Sequence, residues 1–287
     1  MAAGAGVVVA AGLAALLIER QPSQGTAAVN TGSTDITRQA AGSFGRDPYT
    51  PSVVVTPSPT PAGSTVTPSP TPAGSTVTPS RTPAGSVATP PTGTVNGDTP
   101  GLYGGTEHSA SCDVGQLAGF LAAHADRGKA WADTAGVEQS ALPDYLHSLT
   151  SVLLRADTRV TNHGFADGLP TTFQSVLQAG SAVLVDDRGV PRARCACGNP
   201  LTPPVADTSA PQFDGDSWPG FRADRVVSVS PAPTAISALV LVDPAGGGRF
   251  TRPVGTAGAD DRSTAPPPPP ASAPGAPEHS GADARTP

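Results

Sequence analysis

Aromatic residues are scarce in this sequence, at 4% of 287 residues, and they are unevenly placed. Only Phe44 and Tyr49 precede Asp98, and none follows Phe250. Because a hydrophobic core needs large apolar side chains, we expect residues 98–256 to form the globular domain. A stretch of this length is about one ordinary domain and can bury a core without several disulfides.

Lysine is nearly absent as well. Lys129 is the only one, so arginine supplies the other positive charges, and the net charge is -6 with a pI near 5.2. No basic cluster occurs along the chain, which excludes nucleic acid as an expected partner.

Cysteine is also rare, with three residues in the whole chain. Structural zinc needs four ligands and usually takes them from Cys pairs that are two to four residues apart. The pair Cys195 and Cys197, with one residue between them, matches this spacing poorly. The sequence therefore predicts no metal site, and nothing in it points to a cofactor.

Charged residues are missing from residues 1–18, which are apolar throughout and end before Glu19 and Arg20. This length is at the short end of a membrane span and longer than the usual hydrophobic region of a signal peptide. We expect residues 1–20 to be a membrane anchor, with a cleaved signal peptide or a buried segment as alternatives. The charge rule does not orient the segment, since both charges flank the same end.

Helical and strand periodicity are both absent from residues 21–97, which are rich in Pro, Thr and Ser. Residues 55–87 repeat an 11-residue unit three times, as VTPSPTPAGST, VTPSPTPAGST and VTPSRTPAGSV. The unit has almost nothing to bury, and its proline spacing favours extended polyproline II. We expect a disordered linker that holds the domain away from a membrane, either as an O-glycosylated stalk or as an unmodified spacer. Residues 257–287 are expected to be disordered by composition.

Three short helices are predicted early in the globular region. Ser111 or Asp113 caps the first helix, Gly136 ends the second, and Pro143 lies in the first turn of the third. A fourth short helix is expected over residues 171–178.

Strands are predicted in the rest of the region. One covers residues 152–165, and a hairpin follows in which Gly189 belongs to the turn between residues 182–185 and 190–195. Two more strands are expected over residues 226–229 and 236–242. The predicted fold class is α+β, with a small N-terminal helical cap followed by a mostly antiparallel β-sheet and flanked by disordered Pro-rich segments.

Four polar residues would share one face of the strand over residues 152–165. They are Arg155, Asp157, Arg159 and His163. Two arginines beside a carboxylate and an imidazole predict a site for an anionic or sugar-like ligand. The alternative is a ladder of ion pairs with a hydrogen-bonded histidine, which would have no ligand.

In an oxidising compartment, we expect Cys112 to form a disulfide with Cys195 or Cys197. One thiol then remains. It is buried and inert, pairs with another chain, or is reactive because Arg192 and Arg194 lower its pKa.

Several motifs carry a resemblance. The segments GLYGGT, SCD, LLRADTRVTNHGF and LQAGSAVLVDDRGVPRARCACGNPLTPP are similar to an uncharacterised domain of actinobacterial cell-envelope proteins. The similarity spans residues 101–204, with a weaker continuation to residue 256. In that family the domain lies outside the membrane, behind an anchor and a Pro/Thr linker, and is sometimes attached to a Ser/Thr protein kinase, which this chain lacks. The resemblance implies a compartment and a domain limit but no activity.

Three functions from different classes fit these features. The preferred one is a membrane-tethered, extracytoplasmic binding or sensing module of the bacterial cell envelope. Its membrane contact would be residues 1–18, and its partner a cell-wall polymer or an envelope protein. The second is a cysteine-dependent enzyme, with Cys197 or Cys195 as nucleophile and His163 as base. The third is a structural envelope protein whose odd cysteine cross-links two copies.

Overall fold

The computed structural model describes residues 35–55, 92–206 and 211–264. The expected membrane anchor and nearly all of the 11-residue repeats lie outside these ranges. Within them, no helix has the length and apolar character needed to cross a membrane.

The described residues form three α-helices. Asp113 caps the first, since its carboxylate accepts a hydrogen bond from the backbone N–H of Gln116 at 2.8 Å. Gly136 ends the second in the left-handed conformation, and Pro143 lies in the first turn of the third. The three helices expected from the caps and breakers are therefore confirmed. They are α1 (Val114–Ala123), α2 (Ala125–Ala135) and α3 (Leu142–His147).

The strands of the described residues belong to one continuous sheet. Their bounds are β1 (Asp35–Gln39), β2 (Gly93–Asn96), β3 (Tyr103–Gly104), β4 (Thr150–Leu154), β5 (Thr158–Ala166), β6 (Leu169–Leu177), β7 (Ala182–Val185), β8 (Pro191–Arg194), β9 (Asn199–Thr202), β10 (Gln212–Asp214), β11 (Val227–Ser230), β12 (Ala238–Val242), β13 (Arg249–Pro253) and β14 (Arg262–Ser263).

The strand order is β10-β1-β6-β5-β9-β8-β7-β4-β3-β12-β13-β14, and β11 pairs with β5 and β2 beside this path. The α+β class is confirmed, and the sheet is mixed: eight of its strand pairings are antiparallel and five are parallel. Parallel pairing joins β1 to β6 and to β10, β11 to β2 and to β5, and β12 to β3. The helices follow β3 in the chain, so three strands of the described residues precede the helical part.

The prediction of a helix over residues 171–178 is wrong. Most of these residues belong to β6, which forms a hairpin with β5. Asp167 and Gly168 form its two-residue turn, with φ angles of 52° and 79°. Positive φ at both positions is the turn that Asp-Gly favours, and its twist matches the flanking strands. The two strands then pair from Ala166 opposite Leu169 to Thr158 opposite Leu177. The hairpin expected around Gly189, between β7 and β8, is confirmed.

Two hydrophobic clusters lie on opposite faces of the sheet. The three helices pack with the first cluster, which includes Leu117, Trp131 and Leu184. The second cluster includes Val183 and Val185, which alternate with Leu184 along β7. Because both faces are covered, β7 is buried at each of its four positions.

Residues 35–55 are part of this folded unit, although the sequence places them in the linker over residues 21–97. β1 pairs with β6 and β10. Tyr49 and Val53 are buried in the helix-side cluster, and Val54 forms a β-bridge with Cys112. The segment has few apolar residues, but three of them, Ile36, Tyr49 and Val53, are buried in the fold. Composition alone does not reveal this burial.

The repeats therefore connect two points of the folded unit. The described residues before the repeats end at Val55, and those after the repeats begin at Thr92, next to β2. A tether between membrane and domain would instead have the domain at one end only. The expectation that the repeats hold the domain away from a membrane stays a prediction, and residues 21–34 are the part of the linker that lies between the expected anchor and β1.

The folded unit also extends past residue 256, into the segment that was expected to be disordered. Arg252 forms a fully buried ion pair with Asp261, with 2.7 Å between Nη2 and Oδ2. The same guanidinium donates hydrogen bonds to the carbonyl oxygens of Ser151, Thr106 and Ser109. A buried charge needs such partners, so Asp261 fixes the chain here and β14 follows it.

Replacing Tyr49 with Ala tests whether residues 35–55 stabilise the domain. Tyr49 is fully buried, and its ring lies 5.3 Å from that of Phe165. Loss of the ring is expected to lower the free energy of unfolding by about 3–5 kcal/mol, measured by chemical denaturation. Phe44→Ala, in the same segment at a side chain that is 54% exposed, is the control and should change it by less than about 0.5 kcal/mol. Equal stability of the two variants would contradict the assignment.

Candidate functional site

A pocket of about 460 Å³ lies beside the segment that connects β4 to β5. β4 pairs with β3 and β7, whereas β5 pairs with β6, so the chain must bend between these strands. The bend occurs at residues 155–157, and it faces the turn after β6 and the loop before β11. The pocket is lined by Thr92, Arg155, Ala156, Asp157, Gln178, Ala179, Trp218, Pro219, Gly220, Arg222 and Arg225.

Asp157 holds two walls of the pocket together. Its Oδ1 accepts a hydrogen bond from the backbone N–H of Ala179 at 2.8 Å, and its Oδ2 accepts one from Nε1 of Trp218 at 3.1 Å. Both carboxylate oxygens are thus engaged by donors of the protein itself. Hydrogen bonds to a carboxylate are stronger than those between neutral groups, so Asp157 orients the indole ring.

Trp218 is half-buried and forms part of a small aromatic cluster. Its ring meets that of Phe221 edge to face at 5.2 Å, and Phe221 meets Phe213 in the same way at 5.3 Å. Arg38 covers Phe221 from 5.5 Å. The ring contact with Phe221 and the hydrogen bond from Nε1 to Asp157 together fix the position of the indole ring.

The pocket is rich in arginine. Arg155 donates a hydrogen bond to the carbonyl oxygen of Gly101, and burial, followed by the nearby charge of Arg249, lowers its pKa. Arg222 forms an exposed two-fold contact with Asp224, and this hydrogen bonding raises the pKa of the arginine and lowers that of the aspartate. Arg225 ends the short 3-10 turn at residues 223–225.

The four site residues expected on one strand are divided by the bend. Arg155 and Asp157 line the pocket, whereas Arg159 and His163 lie further along β5 and are not among its lining residues. Arg159 donates to the carbonyl oxygen of Val205 at 3.2 Å. The prediction assumed one strand over residues 152–165. In the structure this stretch is divided into β4 and β5, which pair with different strands.

His163 is bound between two threonine hydroxyls. Its Nε2 lies 2.9 Å from Oγ1 of Thr202, and its Nδ1 lies 3.2 Å from Oγ1 of Thr172. Burial lowers the pKa of this imidazole to about 4, because the charged form loses its water. It is a neutral group within the sheet and carries no charge for an anionic ligand near neutral pH.

The structure has a disulfide between Cys112 and Cys195, and Cys197 is a free, fully buried thiol. Burial raises the pKa of Cys197, and the nearby Arg194, whose Nη1 lies 3.6 Å from the sulfur, opposes this only in part. This burial favours the buried, inert thiol over the reactive one that arginine would activate.

The cysteines and the histidine suggested for a cysteine-dependent enzyme have other partners in the structure. The sulfur of Cys195 is in the disulfide, Cys197 is buried as a thiol, and both ring nitrogens of His163 are engaged by threonines. In the described ranges, no three His, Cys, Asp or Glu side chains come together to hold a metal ion.

Sequence reasoning missed the residues around Trp218 that complete the pocket. One signal was present: Trp218 is one of two tryptophans in the chain, and Arg222 and Arg225 follow it within seven residues. Binding residues are often on loops, so an aromatic residue close to two arginines, in a region without strand or helix periodicity, could have been examined as a binding loop.

Comparison with known proteins gives one finding. A family model described as a domain of unknown function, DUF6777, matches residues 93–255. The match begins at the first residue of β2 and ends just after β13, so it leaves out β1 and the rest of residues 35–55. The expected resemblance to an uncharacterised domain is confirmed. No curated protein and no solved structure matches the chain.

His163 makes the stability of the domain depend on pH. Its pKa is lowered on folding, so the unfolded chain takes up a proton below about pH 6.5 while the folded domain does not until about pH 4. The contribution of His163 to stability is therefore present above about pH 6.5 and is lost as the pH falls towards 4, which lowers the free energy of unfolding by on the order of 2–3 kcal/mol. His163→Gln, which keeps hydrogen-bonding groups beside both threonines, should flatten this part of the curve measured by urea denaturation. An unchanged slope in the variant would show that another group titrates.

The Cys112–Cys195 pairing can be tested on protein that has not been treated with a reducing agent. Peptide mapping by mass spectrometry is expected to find Cys112 joined to Cys195 and Cys197 free, and iodoacetamide should label Cys197 only after unfolding. Replacing Cys112 and Cys195 together by Ser should lower the free energy of unfolding by about 4–5 kcal/mol, since the bridge closes a loop over a sequence separation of 83 residues. A bridge that includes Cys197 would contradict the structure.

Proposed function

The chain belongs to the DUF6777 family of domains of unknown function, and we propose that it is a membrane-tethered, extracytoplasmic binding module of the bacterial cell envelope whose ligand site is the pocket beside Trp218. The observation that carries this proposal is the pocket itself. An aromatic side chain held in place before binding, beside several arginines, is the arrangement of a ligand site rather than of a packed core.

The location outside the cytoplasm is supported by the disulfide. Bonds such as Cys112–Cys195 form and persist in oxidising compartments and are rare in the cytosol. The apolar residues 1–18 would supply the membrane contact, and residues 21–34 would join it to β1. The tether in this arrangement is short, since 14 residues reach at most about 50 Å when fully extended.

The other two functions have less support. A cysteine-dependent enzyme needs a thiolate next to a base, and the described residues offer a buried thiol and a histidine that is held by two threonines. A cross-link between copies needs an exposed thiol, whereas Cys197 is fully buried. Binding is therefore the function that the geometry favours.

Sedimentation with purified cell-wall sacculi tests the proposal. The full chain, kept soluble in mild detergent, is expected to sediment with the sacculi, and Trp218→Ala is expected to bind roughly tenfold or more weakly because it removes the central aromatic contact. Leu169→Ala, at a side chain that is 66% exposed and distant from the pocket lining, is the matched control and should bind as the unchanged protein does.

Two results would contradict the proposal. If the full chain does not sediment with the sacculi, the envelope polymer is not its partner. If Trp218→Ala sediments as well as Leu169→Ala, the pocket is not the binding site.

A further inference from the structure

We infer that the pocket binds an acidic saccharide, a sugar that carries a carboxylate or a phosphate. This inference deepens the proposed function and rests on it. It follows from three properties of the pocket lining: its charge, its flat aromatic wall and its neutral hydrogen-bonding groups.

The charge of the pocket favours an anion. Arg155, Arg222 and Arg225 line it, and Asp157 is the one acidic residue among the lining residues. The two oxygens of Asp157 are already occupied by the backbone of Ala179 and by the indole N–H, so this carboxylate is committed to holding the pocket.

Arginine is the side chain suited to such a ligand. A guanidinium group presents its donors in a planar fork that matches the two oxygens of a carboxylate or a phosphate. Arg225 is exposed, and among the described residues no hydrogen bond or ion pair of its guanidinium is seen. Its donors are thus available to a ligand, whereas those of Arg222 are partly used by Asp224.

The aromatic wall favours a sugar ring over a free ion. Trp218, with Pro219 and Gly220 next to it, gives the pocket a flat apolar side that an inorganic anion would not need. The C–H face of a sugar ring is apolar and flat, and it packs against an indole ring while its hydroxyl groups point away. The edge-to-face contact with Phe221 leaves the indole supported in this role.

Neutral polar groups complete the lining. Oε1 of Gln178 accepts a hydrogen bond from the backbone N–H of Ala41 at 2.9 Å, which orients the amide so that Nε2 can donate to a ligand. Thr92, the residue just before β2, adds a hydroxyl group to the lining. Hydroxyl-rich ligands are bound by such amide and hydroxyl groups, so a charged sugar fits the whole lining and a simple anion fits part of it.

Tryptophan fluorescence of the full chain can measure this binding directly. The chain has two tryptophans, and Trp131 is fully buried with its N–H bonded to the carbonyl oxygen of Gly198. A change on titration therefore reports Trp218. The probes are tetragalacturonate, its fully methyl-esterified neutral form, glucose 6-phosphate and inorganic phosphate.

We expect tetragalacturonate or glucose 6-phosphate to bind, and the one that binds identifies a carboxylate or a phosphate as the anionic group. The esterified sugar and inorganic phosphate should each bind at least about tenfold more weakly than that probe. Arg225→Gln should weaken binding by about tenfold or more, as expected for the loss of hydrogen bonds to a charged group. Lys129→Gln removes one positive charge from α2, where the lysine pairs with Asp133, and should leave binding unchanged.

Other outcomes would overturn the inference. Equal binding of the acidic and esterified sugars would remove the need for charge, and equal binding of inorganic phosphate would remove the need for a sugar. Equal effects of Arg225→Gln and Lys129→Gln would show that only net charge matters. If neither acidic sugar binds while Trp218→Ala still abolishes sedimentation with sacculi, the binding function stands and the ligand class is wrong.

Discussion

The turn between β8 and β9, residues 195–198, is the place on which the rest of the structure depends. Its disulfide joins Cys195 to the start of α1 through Cys112, and its carbonyl oxygens accept hydrogen bonds from Thr50 and from the indole of Trp131 on α2. The adjacent Arg194, fully buried, donates to carbonyl oxygens at residues 40, 43 and 44. One turn thus joins the sheet, the helices and the segment before the repeats, which explains why the covalent bond lies there.

The bend at residues 155–157 lines a pocket, whereas the turn at residues 195–198 joins distant segments of the fold. It lies where the chain exchanges one set of strand partners for another, so its side chains are not committed to a pairing register and can face a pocket. Asp157 uses its charge to fix the loop that carries Trp218, and the arginines remain at the surface of the pocket. Stability and the candidate site therefore depend on different parts of the fold: the turn at residues 195–198 holds the domain together, and the bend lines the pocket.

The predicted site shows how far local pattern can be used. Arg155, Asp157, Arg159 and His163 alternate as residues on one strand face do, and two of them, Arg155 and Asp157, are among the residues that line the pocket. It also included Arg159 and His163, because a change of strand partners leaves no local mark in the sequence. Trp218 and Arg225 were missed because they are more than 60 residues away in the chain, and only tertiary packing brings them to the bend. The helix expected over residues 171–178 was wrong for a different reason, since the Asp167–Gly168 turn signal was present but not used.

The sequence by itself determined the features that depend on near neighbours: the three helices with their caps, the hairpin around Gly189, the α+β class and the presence of a disulfide framework. Each of these follows from side-chain spacing, backbone freedom or cysteine content, which are local or compositional properties. Only the tertiary structure decided which cysteine pairs with Cys112, that residues 35–55 belong to the folded unit and that the repeats join two points of it. These outcomes depend on which distant segments bury one another, and a segment such as residues 35–55 is stabilised by contacts with partners far along the chain, not by its own composition.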